Sequence, residues 1–310
     1  MTSIPPTQIS PTVSIIIPTS CESHRWISLL RAIESVREQE RVEVVVIVVI
    51  NGIRFSQENF DKLRSDPGLT ILYQKEGSAP LAQKLGRLAV RTPFFGFLDD
   101  DDEYLPGALW LRLGPLLEHE SIGFVASNGY RHVTGHDNLA VNSTVLREDP
   151  LVALGNENWL ASCGGLFRSS SVGTEFFNDP AEFLEWTFLA YKLVLKVPMA
   201  WVEAPTFRVN DTPLSLSKSA EYRTAAVGVL LRILALDLPP HVAAQLSRKL
   251  GSTYHDLSSE RVTQKLLRQA WRYHMLSLRR PGGLQYLLYS RKILALAFRN
   301  IWLALRSMHT

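Results

Sequence analysis

Cysteine is scarce in this sequence: Cys21 and Cys163 are the only two among 310 residues, and neither belongs to a CxxC pair. That excludes a disulfide framework and a clustered zinc site, and it suits a reducing, cytoplasmic setting. Long apolar runs are also missing. The longest, Val44–Ile50, is too short to cross a bilayer and is rich in β-branched residues. The opening MTSIPPTQISPT has no basic region followed by an apolar core, so no secretory leader is expected. There is no Walker loop and no Ser-His-Asp order, and the eight histidines are scattered. Finally, Arg261–Thr310 contains no Asp or Glu but ten Lys and Arg. The residues before it hold 23 basic and 30 acidic side chains, so the net charge of +3 hides two parts of opposite sign.

Hydrophobic residues make up 46% of the chain and charged ones 20%, the balance of a globular protein with a sizeable core. Thr12–Pro18 reads as a buried strand, Arg25–Arg37 as an amphipathic helix, and Val42–Ile50 as a second buried strand stopped by Asn51-Gly52. A helix over Phe55–Arg64, a strand over Leu69–Tyr73 and a helix over Ala79–Val90 lead to Phe94–Leu98, another strand. Strands alternating with helices predict βαβ units and a mostly parallel sheet, with ligands at the carboxyl ends of the strands. Thr19, Asn51 and the aspartates should then share one rim. Beyond a helix from Pro106 to Glu118, strands are expected over Ile122–Val133, Val141–Leu146, Trp159–Phe167 and Ala200–Val209. A helix is expected over Asp179–Leu195, and the polar Asn210–Ser219 reads as a loop. After it the chain is helical throughout: Ala220–Leu236, Pro240–Leu257, Arg261–Leu278 and Leu284–Ser307. The composition changes near Ser217–Glu221, dividing residues 1–218 from a basic helical domain, 219–310.

Four consecutive aspartates, Asp99 to Asp102, follow the strand Phe94–Leu98 and precede Glu103, Tyr104 and Pro106. Adjacent like charges repel, so they call for a hydrated turn or a bound cation. Mg²⁺ and Mn²⁺ prefer oxygen ligands, and Mg²⁺ commonly takes one or two protein carboxylates together with substrate phosphates. A solvated acidic turn is the plainer alternative.

Taken together, VSIIIPT (Val13–Thr19), the strand ending in Asn51-Gly52, GSAPLAQKLG (Gly77–Gly86) and FLDDDDEYLPGAL resemble the nucleotide-sugar-dependent glycosyltransferases of family 2. The resemblance covers roughly the first 210 residues. It implies a GT-A fold, a Rossmann-like α/β sheet flanked by helices, and inverting transfer from a nucleotide diphosphate sugar, with a UDP-sugar favoured. It also implies that Pro18, Thr19 and Asn51 hold the nucleoside, although Asn51 stands where the family has an acidic residue. Asp101 would coordinate Mg²⁺ or Mn²⁺, with Asp99 and Asp100 at the ribose or the metal's water shell. Lys84, in Ala82-Gln83-Lys84, would reach a phosphate or remain a solvated helix lysine. The family's base lies in a Glu-Asp-aromatic motif at a helix start. Here the aligned stretch is Phe183-Leu184-Glu185-Trp186, making Glu185 the base, with Glu182 the runner-up and Asp179 a helix cap. Phe207-Arg208-Val209-Asn210 resembles Tyr-Arg-x-His, with Arg208 at the diphosphate, and Ser215 and Ser217 match the Ser-x-Ser beyond it in a closing loop. Trp159 and Trp186 are candidates for an acceptor wall or for the core.

The implied acceptor is a hydroxyl of a glycan or lipid-linked molecule. The basic tail, mixing Leu, Ile, Phe and Trp with Arg and Lys, suits an anionic membrane surface, which would make the protein peripheral on its inner face. The tail also suits a cover for the catalytic domain or a protein partner; nucleic acid is not expected, because no recognised motif accompanies the charge. Two other classes stay open: a nucleotide-sugar-binding protein without transfer, and a helical interaction scaffold.

Overall fold

Val46–Ile50 are buried side by side, which places their strand in the middle of a sheet covered on both faces. The computed structural model describes residues 10–181, 183–211 and 220–307. Its chain forms two compact units, Met1–Ser215 and Leu216–Thr310.

The first unit opens with β1 (Thr12–Thr19), α1 (Trp26–Arg37), β2 (Glu43–Asn51), α2 (Gln57–Ser65), β3 (Leu69–Gln74), α3 (Ala79–Ala89) and β4 (Phe94–Phe97). Next come β5 (Glu103–Tyr104), α4 (Ala108–Glu118), β6 (Phe124–Ser127), β7 (Tyr130–Val133) and β8 (His136–Leu139). The unit is completed by α5 (Thr144–Glu148), α6 (Pro150–Asn156), β9 (Gly165–Arg168), α7 (Glu185–Val194), β10 (Met199–Val202) and β11 (Phe207–Asn210).

Seven strands form one sheet in the order β10-β6-β9-β4-β1-β2-β3, and all neighbours are parallel except β9, which runs against β4 and β6. Thr19 pairs with Ile50 and Ile16 with Phe97, so the carboxyl ends of β1, β2 and β4 lie on one edge. The expected mostly parallel α/β sheet is present. A second sheet, β5-β11-β7-β8, lies beyond the aspartates. Glycine brings α3 close to the first sheet: a Cβ on Gly86 would sit 2.3 Å from Ile16 Cγ2. Gly86→Ala therefore gains helix propensity but must displace β1. It is expected to destabilise the protein by about 1–2 kcal/mol. A urea midpoint that falls with the slope unchanged would confirm this, and an unchanged midpoint would show that Ile16 gives way freely.

Several boundaries differ from the sequence reading. Val141–Leu146 is not a strand; α5 occupies its end, and Asp149 then caps α6 by accepting from Leu151 and Val152 N–H at 2.9 and 3.0 Å. Asp149-Pro150 was the available helix-start signal. Ile122–Val133 is two strands in different sheets, and so is Ala200–Val209, interrupted before Thr206. The helix expected from Pro106 begins at Ala108, after Gly107 in the left-handed conformation. The helix expected from Asp179 begins only at Glu185, because Asp179 and Leu184 both have positive φ (51° and 56°). Asp179 is therefore not its cap. Glu182 lies outside the described residues, as do Ser215, Ser217 and most of the loop 210–219.

The second unit contains α8 (Ala220–Leu234), α9 (Pro240–Thr263), α10 (Leu267–Leu278) and α11 (Tyr289–Ser307), and no strand among its described residues. The fully buried His274 of α10 meets Ser290 Oγ of α11 at 2.7 Å, and His255 of α9 lies edge-on to Tyr289 of α11 at 4.8 Å, tying the last three helices together.

Candidate active site

The aspartates follow β4 directly, and each carboxylate has a different environment. Asp99 accepts from Ser162 Oγ at 2.6 Å. Asp100 is buried and accepts from Thr19 Oγ1 at 2.6 Å, while Thr19 Oγ1 in turn accepts from Cys21 N–H at 2.9 Å. Asp102, also buried, accepts from Asn210 N–H at 3.1 Å and lies 3.7 Å from the Cys163 thiol. Asp101 faces the rim, and its carbonyl accepts from Asn210 Nδ2 at 2.8 Å and Arg31 Nη2 at 3.1 Å. The loop is thus held from both sides, by β1 and by β11.

Burial, with the neighbouring carboxylates adding to it, pushes Asp99 and Asp100 up to about 6 and Asp102 well above the usual range. The Arg25 guanidinium meets this charge, 2.8 Å from Asp101 and 3.1 Å from Asp100. The sequence reading missed Arg25, Ser162 and Cys163. Each comes from a distant segment, and nothing in the local pattern marks a residue that acts across a fold.

Thr19 meets the aspartate loop directly. Pro18, half-buried, pairs with Val49 on the same edge. Asn51 ends β2, and its Oδ1 accepts from Ser78 N–H at 2.8 Å, fastening the start of α3 to the rim. Asn51–Arg54 and Lys75–Gly77 enclose a cleft of about 740 Å³ beside it. Lys84 sits half-buried on α3 and makes no hydrogen bond or ion pair with the described residues. Arg208 is not directed at the aspartate loop: it bonds Glu103 at 2.8 Å and Asp137 at 2.8 Å. Its use at a diphosphate would require exchanging those partners. Trp159 and Trp186 are both buried, the first donating to Pro150 O at 3.0 Å and the second edge-on to Phe97 at 5.2 Å, so both belong to the core.

Glu185 is the first residue of α7, where unpaired N–H groups favour a carboxylate. Burial outweighs that effect and, with the negative charge of Asp99 nearby, raises Glu185 to about 7. Leu184, just before it, takes a left-handed conformation that costs a residue with a side chain about 1–2 kcal/mol. A carboxylate poised near neutrality beside the aspartate loop can accept a proton at ordinary pH.

Among the described residues, no group of three or more His, Cys, Asp or Glu is arranged to hold a metal ion. The donor set still fits a hard cation shared with a substrate. Asp101 offers one carboxylate at the rim, Arg25 pairs with only two of the four neighbouring carboxylates among the described residues, and Mg²⁺ usually fills its remaining positions with phosphate and water.

A parallel sheet with its carboxylates at the strand ends and a small second sheet beyond them is the arrangement of a GT-A fold. Residues 14–163 match the family model described as glycosyl transferase family 2, which spans most of the first unit. That unit is therefore similar to glycosyl transferase family 2 over residues 14–163. Among solved structures, S. aureus TarS 1-349 in complex with UDP-GlcNAc aligns with a TM-score of 0.58 at 16% identity, covering 86% of this chain and 81% of that one. The complex of the same fragment with UDP aligns at 0.53 and 15%, covering 80% and 72%. S. aureus TarS aligns at 0.59 and 16%, covering 86% of this chain but only 49% of that one. At these identities the likeness is one of fold. No curated protein matches the sequence.

Proposed function

We propose that the protein is an inverting glycosyltransferase moving a sugar from a nucleotide diphosphate donor, a UDP-sugar by preference, to a hydroxyl of a glycan or lipid-linked acceptor. The observation that carries this reading is Glu185, raised to about 7 at the start of α7 and within electrostatic reach of Asp99. A protein that only bound donors would have no use for a base there.

In this reading the nucleoside lies in the cleft at Asn51 and reaches Pro18 and Thr19 on the same edge of the sheet. Asp99 and Asp100 face the ribose side, Lys84 offers an uncommitted positive charge to the phosphates, and Asp101 holds Mg²⁺ or Mn²⁺. When bound, such a cation supplies Lewis-acid neutralisation of the charge developing on the leaving diphosphate. Glu185 takes the proton of the acceptor hydroxyl as its oxygen forms the new bond to the anomeric carbon. The bond to the diphosphate breaks on the opposite face, and its electron pair leaves with the nucleoside diphosphate. The two complexes of S. aureus TarS, with UDP and with UDP-GlcNAc, support a uridine donor. A thermal-shift panel of nucleotide sugars with and without Mn²⁺ tests the reading. UDP-sugars with Mn²⁺ should raise the melting temperature by several degrees at saturating concentration, and no shift with any donor would overturn it.

The second unit supplies a location. No helix among the described residues is long and apolar enough to cross a membrane. Leu284, Leu288 and Phe298 are 77, 71 and 68% exposed, and exposed Arg291, Lys292 and Arg299 lie among them, in a stretch without acidic residues. Apolar side chains mixed with cations suit an anionic lipid surface, where lipid-linked acceptors reside. The protein should sediment with anionic vesicles at low salt and detach as salt screens the charge. Arg291→Glu with Lys292→Glu should abolish that binding. Equal sedimentation with neutral vesicles would argue against the electrostatic account.

A further inference from the structure

We infer that Arg25 is a tethered cation that guards the aspartate loop: it pairs with Asp101 and is released to the donor diphosphate when a divalent ion takes that carboxylate. The inference rests on the donor site proposed above.

The turn that carries Arg25 is built from the same residues that aim the carboxylates. Cys21 takes a left-handed conformation (φ 51°), and its N–H donates to Thr19 Oγ1, the group that holds Asp100. A single 3₁₀ turn, Ser23–Arg25, follows. Arg25 N–H donates to Glu22 O at 2.9 Å, and the Arg25 carbonyl accepts from Ser28 Oγ at 2.8 Å. The backbone is therefore fixed from both sides, and the guanidinium reaches the loop from a rigid base.

Its two contacts differ in depth. Nη2 lies 3.1 Å from Asp100, whose side chain is 5% exposed, and Nη1 lies 2.8 Å from Asp101, at 15%. The Arg25 side chain is 31% exposed. The Asp100 contact is the anchor, and the Asp101 contact is at the rim, where a cation from solution competes for the same carboxylate. A metal ion alone must displace one positive group with another. A metal ion arriving with a diphosphate brings anionic oxygens that take over the freed guanidinium, whose fork suits phosphate. The consequence is coupled binding: metal and nucleoside diphosphate each admit the other, and by linkage the effect is reciprocal.

The test is Mn²⁺ affinity without nucleotide, read by the electron paramagnetic resonance of free Mn²⁺, for wild type, Arg25→Met, Arg25→Lys and Asp101→Asn. Arg25→Met keeps the length of the side chain and removes its charge. It should bind Mn²⁺ alone on the order of tenfold more tightly, and UDP should then improve Mn²⁺ binding less than it does in the wild type. Arg25→Lys should stay near wild type. A merely structural role for Arg25 would move the melting temperature and leave Mn²⁺ affinity where it was. Unchanged or weaker Mn²⁺ binding in Arg25→Met, with binding lost in Asp101→Asn, would overturn the guard and leave the donor site standing. Mn²⁺ binding indifferent to Asp101→Asn, or absent from every variant, would overturn both.

Discussion

Glu185→Gln is expected to lower the single-turnover rate of sugar transfer by about two to four orders of magnitude while donor affinity barely changes. The substitution keeps the shape of the side chain and most of its hydrogen bonding and removes only the basic group. Because burial and Asp99 raise the Glu185 carboxyl to about 7, the wild-type rate should climb as pH passes through that value, and the variant should lose this limb. Stability should respond in the opposite sense. A carboxyl raised from 4.5 to about 7 by folding contributes stability at acidic pH that is lost as pH rises through the higher value. Glu185→Gln should therefore be more stable than wild type at pH 8, by about 2 kcal/mol. A large loss of transfer in Glu182→Gln with a small one in Glu185→Gln would move the base to Glu182. No effect at either position in an active protein would remove this segment from the chemistry.

Asp101→Asn should abolish the dependence of UDP binding on Mn²⁺ and lower transfer by at least about 10²–10³-fold. Asn retains an oxygen for Arg25, so the loop should keep its place and the melting temperature should hold. What is lost is the one charged ligand at the rim, and with it the neutralisation of the leaving diphosphate. Calorimetry of UDP with and without Mn²⁺, on both proteins, measures the binding half directly. Metal-dependent binding that persists in the variant would transfer the role to Asp102. Against that stands the burial of Asp102, whose carboxylate accepts from Asn210 and lies within reach of the Cys163 thiol.

Much of the first unit could be read in advance, for a definite physical reason. A strand buried on both faces must be apolar along nearly its whole length, so Ile15–Ile17 and Val46–Ile50 declare themselves without knowledge of their neighbours. Parallel strands need helical crossovers, so alternation predicts the sheet, and the sheet predicts that Thr19, Asn51 and the aspartates share an edge. The second sheet was not legible in the same way. β7 is a partly exposed and β8 a fully exposed strand of four residues, too short to show a period, and β6 runs almost directly into β7 although the two belong to different sheets. The helix carrying Glu185 was placed six residues too early, because the left-handed turn at Leu184 depends on packing and not on the propensity of leucine.

Sequence alone determined the class of the first unit and the position of its acidic loop, because these follow from local apolar pattern and from motifs in register. Tertiary structure decided how the charges are shared. Only the fold brings Arg25 onto Asp100 and Asp101, Ser162 onto Asp99, and Asn210 onto the backbone of the loop, and only it commits Arg208 to Glu103 and Asp137. Such pairings join residues as many as 109 positions apart. Their strength depends on burial, since the same carboxylates in water would titrate near their ordinary values, and burial is a property of the packed chain as a whole.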